Sequence, residues 1–281
     1  MAATPDLAAL AQALAQGRSL DIDRMFRRAG LAPPLVVWRP ERGELGHPTL
    51  RDFHARCLAV SAADGALRLE EFEALDLGGL ADWLMVLEPL EDDDFRYLRY
   101  GPGIAAEYGR DMTGACASAF DGHISVFFRA LYAAATRVKH AVMSVHEPPR
   151  AVFVSAWRRL IVPVLDARAA VSRLVAVNAP DNDLRAGLEA IPEAVTVTTP
   201  EHQVVFANAA ARLLFGDRRM PCDGLDLSGY TGFDLRLPDC ETTQVVEGME
   251  RRGDLIVRYT ATCKRITYRD RPYNVVMLRF S

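Results

Sequence analysis

The sequence predicts an α+β protein built from two related modules in tandem, and three observations carry that expectation. One pattern occurs twice: residues 84–111 (LMVLEPLEDDDFRYLRYGPGIAAEYGRD) and 194–217 (AVTVTTPEHQVVFANAAARLLFGD). Each reads as an apolar strand, a polar turn, a second strand and a short Ala-rich helix, closed by a glycine (Gly109, Gly216) and an acid (Asp111, Asp217). A recurring unit of this size implies two modules rather than one large domain. Each repeat is followed by three strand-like runs in series, which implies antiparallel pairing through hairpins. Finally, 281 residues is a two-domain length, and each half is long enough to bury a core of its own.

The elements follow in order. Residues 5–16 (PDLAALAQALAQ) predict a helix, with Thr4 as its cap, Pro5 in the first turn, Gly17 at the exit, and Leu7, Leu10 and Leu14 on one face. A second helix over 21–29 opens on Asp21 and Asp23 and ends on Arg27 and Arg28, as the helix dipole favours; Gly30 and Pro33-Pro34 stop it. Residues 35–62 predict a short strand, a turn and a helix capped by Thr49, whereas 66–80 carry no clear pattern. The first module has strands at 82–87 and 95–99 around the EDDD turn (91–94), a short helix from Pro102 to Gly109, and a long helix at 124–138. Phe127, Phe128, Leu131, Tyr132 and Ala135 give that helix a broad apolar face. Strands follow at 141–146, 153–165 and 173–178; Pro163 places the middle one near an end or an edge. A linker helix carries Leu184, Leu188 and Ile191 and ends at Pro192. The second module has strands at 195–199 and 203–207, a helix capped by Asn208, a loop over 217–240, and strands at 243–250, 255–265 and 273–280. The predicted organisation is therefore an N-terminal helical extension (1–62), a first domain (63–180), the linker helix (181–192) and a second domain (193–281).

Half of the residues are hydrophobic and a quarter are charged, an ordinary balance for a folded protein. The net charge of −4 gives no electrostatic reason to expect a nucleic-acid partner. The basic pairs Arg27-Arg28, Arg158-Arg159 and Arg251-Arg252 read as solvated faces. A DNA-reading helix-turn-helix at the N-terminus is not expected either, because the second helix opens on two acids and lacks the amide and basic side chains that read base edges. No apolar run approaches the ~18–20 residues of a membrane helix, and no basic flank precedes a greasy stretch, so a cytoplasmic protein with no membrane partner is expected. The five cysteines (Cys57, Cys116, Cys222, Cys240, Cys263) show no CxxC spacing and predict free thiols and no metal site.

Strand, strand, helices and then three strands is the order of a PAS domain. The run LEAIPEAVTVTTPEHQVVFANAAARLLFGD resembles that family closely, with its leading helix, proline, two strands, Asn208 and the helix ending at Gly216. The first module resembles a PAS variant common in alphaproteobacterial proteins through FRYLRYGPGIAAEYGRDMTG (95–114) and RRLIVPVLD (158–166). The resemblance covers about residues 80–281. It implies in each module a five-stranded antiparallel sheet with helices on one face, and a space between them that can hold a small molecule. The second module departs from the family where a long helix ordinarily precedes the last three strands.

For the first module, the candidate pocket is Tyr97, Tyr108, His123, Phe127, Phe128, Leu131 and Trp157, aromatic bodies with polar tips beside an apolar helix face; packing of a plain core is the alternative reading of the same residues. Heme is not expected, because His123, His140 and His146 lie outside the interior of the long helix and read as neutral, hydrogen-bonded surface histidines; His123 is the candidate ligand if heme occurs. Flavin photochemistry is not expected at Cys116, whose stretch TGACASAF lacks the flanking Asn, Arg and Gln of the light-sensing subclass. The cofactor is therefore left open. No phosphate loop, GxSxG elbow, HExxH, phosphoacceptor helix or cyclase motif occurs in the sequence, and no enzymatic activity is expected. The functional expectation is a sensory or regulatory protein of signal transduction, a homodimer that binds a small ligand, contacts another signalling protein, or does both. The alternatives are a ligand-free docking scaffold, and a small isomerase-like pocket enzyme using Asp111 and His123.

Overall fold

The computed structural model describes residues 6–61, 66–148, 152, 154–181, 183–201, 203–215, 244–252, 255–268 and 271–280. The chain divides into two compact units. The first comprises residues 1–105, 111–149 and 156–181, and the second 106–110, 150–155 and 182–281. Both are mixed α+β with antiparallel sheets, the arrangement expected of a PAS-like fold.

Unit 1 begins with α1 (Leu7–Ala15), α2 (Leu20–Arg28), β1 (Leu35–Trp38), α3 (Pro48–Val60), β2 (Leu67–Arg68) and α4 (Leu69–Glu73). It continues with β3 (Leu84–Pro89), β4 (Phe95–Tyr100), α5 (Pro102–Tyr108, whose last residues cluster with unit 2), α6 (Gly122–Val138), β5 (Val142–His146), β6 (Ala156–Leu165) and β7 (Val171–Asp181). The cap of α1 is Asp6, whose carboxylate accepts from the Ala9 N–H at 3.1 Å; the expected cap, Thr4, lies outside the described residues. The sheet has seven strands, not five. The order β5-β6-β7-β3-β4 is flanked by β1, antiparallel to β5, while β2 pairs parallel with the end of β6. The segment expected as a helical extension thus holds, beside its helices, a strand of this sheet.

The expectation of helices on one face alone also fails. On one face α3 supplies Leu50, Phe53 and Cys57 to a core with Met143, Leu160, Val162, Val164, Val175 and Val177. Alternation along the strands sends Ser144, His146, Trp157, Arg159 and Asn178 to the other face, beneath α6. Covered on both faces, β6 and β7 read as continuous apolar runs, which is why their alternation is weak in the sequence. In α1, Ala11 and Leu14 are buried, and Trp38 Nε1 donates to the Leu14 carbonyl at 2.9 Å. Phe26 of α2 meets Phe127 of α6 edge-on at 5.3 Å.

Unit 2 contains α7 (Asp183–Glu189), β8 (Ala194–Thr198), β9 (Val204–Ala207), α8 (Ala209–Phe215), β10 (Gln244–Arg252), β11 (Leu255–Tyr268) and β12 (Arg271–Phe280). Its five strands form one antiparallel sheet in the order β10-β11-β12-β8-β9. The loop expected over 217–240 lies outside the described residues. Asn208, fully buried, is the hub at which α7, β8 and α8 meet. Its Oδ1 accepts from Val195 N at 2.9 Å and Ala211 N at 3.0 Å, and its Nδ2 donates to the carbonyls of Leu188 (3.3 Å), Ile191 (2.9 Å) and Glu193 (2.8 Å). The cap expected of Asn208 is present, and it does more than cap.

Among the described residues Cys57 and Cys116 are free, whereas Cys263 is disulfide-bonded. The expectation of free thiols fails at Cys263. Among the described residues no helix is long and apolar enough to cross a membrane.

Two substitutions test this account. A Cβ at Gly101 would lie 2.3 Å from the Asp82 carbonyl oxygen and 2.7 Å from its carbon, both backbone atoms that cannot swing aside. Gly101→Ala is expected to lower stability by about 2–3 kcal/mol in urea unfolding. Asn208→Ala strands several buried backbone groups at once and is expected to cost about 3 kcal/mol, read in the same way.

Candidate functional site

Beneath α6, the sheet of unit 1 carries a row of polar residues in direct cross-strand register. Ser144 of β5 pairs with Arg159 of β6, which pairs with Asn178 of β7. Arg159 is 3% exposed, although its neighbour Arg158 is half-buried and paired with Asp181 at 3.0 Å. The two adjacent arginines, read from the sequence as one solvated face, thus point to opposite faces of a strand buried on both sides. That alternation, together with the flanking LIVPV run, was the signal available.

The Arg159 guanidinium is held from three directions. Nε donates to Asn178 Oδ1 at 2.6 Å, Nη1 donates to the Tyr132 hydroxyl at 2.7 Å, and the cation lies 4.1 Å from the centre of the Phe128 ring. The Tyr132 and Tyr97 hydroxyls are 3.1 Å apart, so a hydrogen-bonded chain runs from the arginine through α6 to β4. Burial pushes the Tyr97 phenol well above its usual range, with the Tyr132 phenol contributing, and Tyr97 is neutral. Asn178 Nδ2 donates to Met85 Sδ at 3.6 Å. No described carboxylate reaches Arg159 within ion-pair distance. Cation–π attraction contributes about 2 kcal/mol when desolvated, but neither a ring face nor a neutral amide cancels a unit charge.

His146, expected at the surface, is 3% exposed and stands between Phe127 (5.6 Å) and Phe128 (5.2 Å). Burial, then the Arg159 and His123 charges, hold its pKa well below the usual value, so the ring is neutral. Its Nδ1 and the Ser144 hydroxyl are buried without a hydrogen-bond partner.

The sequence-predicted residues divide as follows. Tyr97, Phe127, Phe128 and Leu131 are buried in unit 1; Tyr97 joins the polar chain, Phe128 lies against the arginine, and Phe127 stands beside His146. Trp157, 4% exposed, shares the Arg159 face of β6 and is the register partner of His146. His123 stands at the start of α6, edge-on to Phe26 at 5.0 Å, with Nε2 buried and without a partner. Tyr108 falls in the segment 106–110 that clusters with unit 2. Asp111, the acid of the isomerase-like alternative, accepts from the Thr113 N–H at 2.8 Å and hydroxyl at 2.7 Å in a local turn. Ser144, His146, Arg159 and Asn178 were not predicted. Among the described residues no group of acids, histidines and cysteines could hold a metal ion. The cluster brings together one fixed positive charge, neutral hydrogen-bonding groups and aromatic rings.

No protein-family model matches the chain, and no curated protein matches it. Solved structures that it is similar to include PAS domains. One is from a two-component sensor histidine kinase, at 13% identity over 35% of this chain and 93% of that one, with a TM-score of 0.28. Another belongs to an HTR-like protein from Haloarcula marismortui, at 15% identity over 35% and 94%, with a TM-score of 0.28. A third is that of nitrogen regulation protein NR(II) from Vibrio parahaemolyticus, at 18% identity over 34% and 96%, with a TM-score of 0.26.

The neutral state of His146 sets a pH dependence. The unfolded chain takes up a proton on this residue as pH falls through about 6.5, whereas the folded chain does so only at lower pH. Stability from the neutral ring is therefore full above about pH 6.5 and is lost as pH falls towards the folded pKa. In urea unfolding across pH 7 to 5, His146→Gln is expected to lose less stability than the wild type. Among the described residues, His47, His54 and His123, which burial also holds low, contribute to the slope that remains.

Proposed function

We propose that this chain is a sensory protein of signal transduction whose first unit binds a small ligand between α6 and the sheet, and whose output passes through contacts with another signalling protein. The observation that carries this reading is the buried polar cluster itself. A core that only had to pack would gain from apolar residues at these positions: a buried polar group without a partner, as at Ser144 Oγ and His146 Nδ1, costs about 1–3 kcal/mol, and the buried charge of Arg159 has no described counter-ion to offset its desolvation. Groups retained at that cost serve a bound molecule in one of the two states that a sensor must distinguish. The ligand acts by favouring one arrangement of the protein, tenfold for each ~1.4 kcal/mol of differential binding. A homodimer is the form in which we propose that it works. The reading is regulatory rather than catalytic, since the acid proposed for pocket chemistry, Asp111, is engaged in its own turn.

Native mass spectrometry of the full chain, gently purified from its own cells, tests this. The expected result is a mass above 31.0 kDa per chain, in a two-chain species, with the added mass lost in Trp157→Ala. A bare polypeptide mass that persists under every growth condition would overturn the ligand-binding reading in favour of a docking scaffold. A visible absorbance band would assign the ligand to heme or flavin.

A further inference from the structure

Four groups on the α6 side of the unit 1 sheet share one deficit. Arg159 is a buried cation with no described carboxylate to neutralise it. Two of its nitrogens are engaged, Nε with Asn178 and Nη1 with Tyr132, and Nη2 has no acceptor among the described residues. Its register partner Ser144 is fully buried with an unused hydroxyl. His146, two residues along the same strand and on the same face, has an unused Nδ1. His123 Nε2, on α6 itself, is unused as well. All four can donate a hydrogen bond, and Arg159 and Ser144, direct partners in the strand register, present their donors side by side, the pairing that an anion accepts from.

We propose, building on the ligand-binding reading above, that Arg159 and Ser144 anchor a small organic monocarboxylate, its carboxylate on the guanidinium and its apolar body against the aromatic side chains of α6. Charge balance selects the class. The site holds one fixed positive charge and a neutral imidazole, so a monoanion leaves it neutral, whereas a phosphate dianion would bury a net negative charge. A neutral ligand would leave the guanidinium uncompensated. The guanidinium fork matches a carboxylate in shape as well as in charge. Phe127, Phe128 and Tyr97, all nearly or fully buried, favour an apolar remainder over a second charged group.

The test uses purified full chain, free of carboxylate buffers, titrated calorimetrically and in thermal unfolding with acetate, butyrate, benzoate, phenylacetate and inorganic phosphate. At least one carboxylate is expected to bind saturably and to raise the unfolding midpoint, and phosphate to bind more weakly than that carboxylate. Arg159→Gln is expected to abolish binding. Because that variant could fail to fold, Ser144→Ala provides the second arm. It removes a hydroxyl that has no partner in the free protein, so the unliganded midpoint is expected to hold or rise, while carboxylate affinity falls at least about tenfold. Wild-type affinity in Ser144→Ala, or phosphate binding tighter than every carboxylate, would overturn the proposal. If no carboxylate binds but native mass spectrometry finds an uncharged adduct, this inference fails and small-ligand sensing stands. If neither is found, both fail.

Discussion

A guanidinium taken out of water must find other dipoles to replace its hydration, and in unit 1 the arrangement around Arg159 follows from that constraint. Asn178 is held opposite it by strand register, the Tyr132 hydroxyl reaches down from α6, and the Phe128 ring lies against the cation. Together these supply direction and polarisability but no opposite charge. Tyr97 and Tyr132 extend the arrangement to β4, so α6 is tied to the sheet by a polar chain as well as by its apolar face. The neutral state of His146 belongs to the same economy, because a second cation at that place would face both burial and the arginine.

Unit 2 solves its polar problem in another way. Asn208 engages five backbone groups with one neutral amide, its two N–H groups shared among three carbonyls, and leaves no charge behind. An arginine–asparagine cross-strand pair occurs in this sheet too, where Arg265 Nε donates to Asn274 Oδ1 at 3.3 Å, but here Arg265 is only half-buried and water shares in its solvation. Asn274 is as deeply buried as Asn178, and what differs is the arginine, covered at Arg159 and partly exposed at Arg265.

Much of the fold was legible because it depends on local rules. The two hairpins, α6 with its apolar face, and the helix opened by Asn208 stand where periodicity and capping placed them. What was not legible depends on cover from a distance. Whether the sheet of unit 1 has one covered face or two is decided by α3, some hundred residues before β6, and nothing in the sequence of β6 announces it. For the same reason Arg158 and Arg159 looked alike: adjacency in sequence reads as shared environment, and only a strand buried on both sides separates them. His146 was misplaced because a histidine in a short apolar strand carries no mark of which face it takes. The aromatic residues of the candidate pocket were visible as bulk, whereas the charge among them was not.

The double cover of β6 has a mechanical consequence. Arg159 and Leu160 are successive residues of one strand, one under α6 and the other in the core built on Leu50 and Phe53 of α3. A strand in that position is a party wall, and close-packed interiors do not absorb a shift on one side without a shift on the other. Any event that draws the guanidinium out of its seat moves the wall, and the tenants on the far side must rearrange.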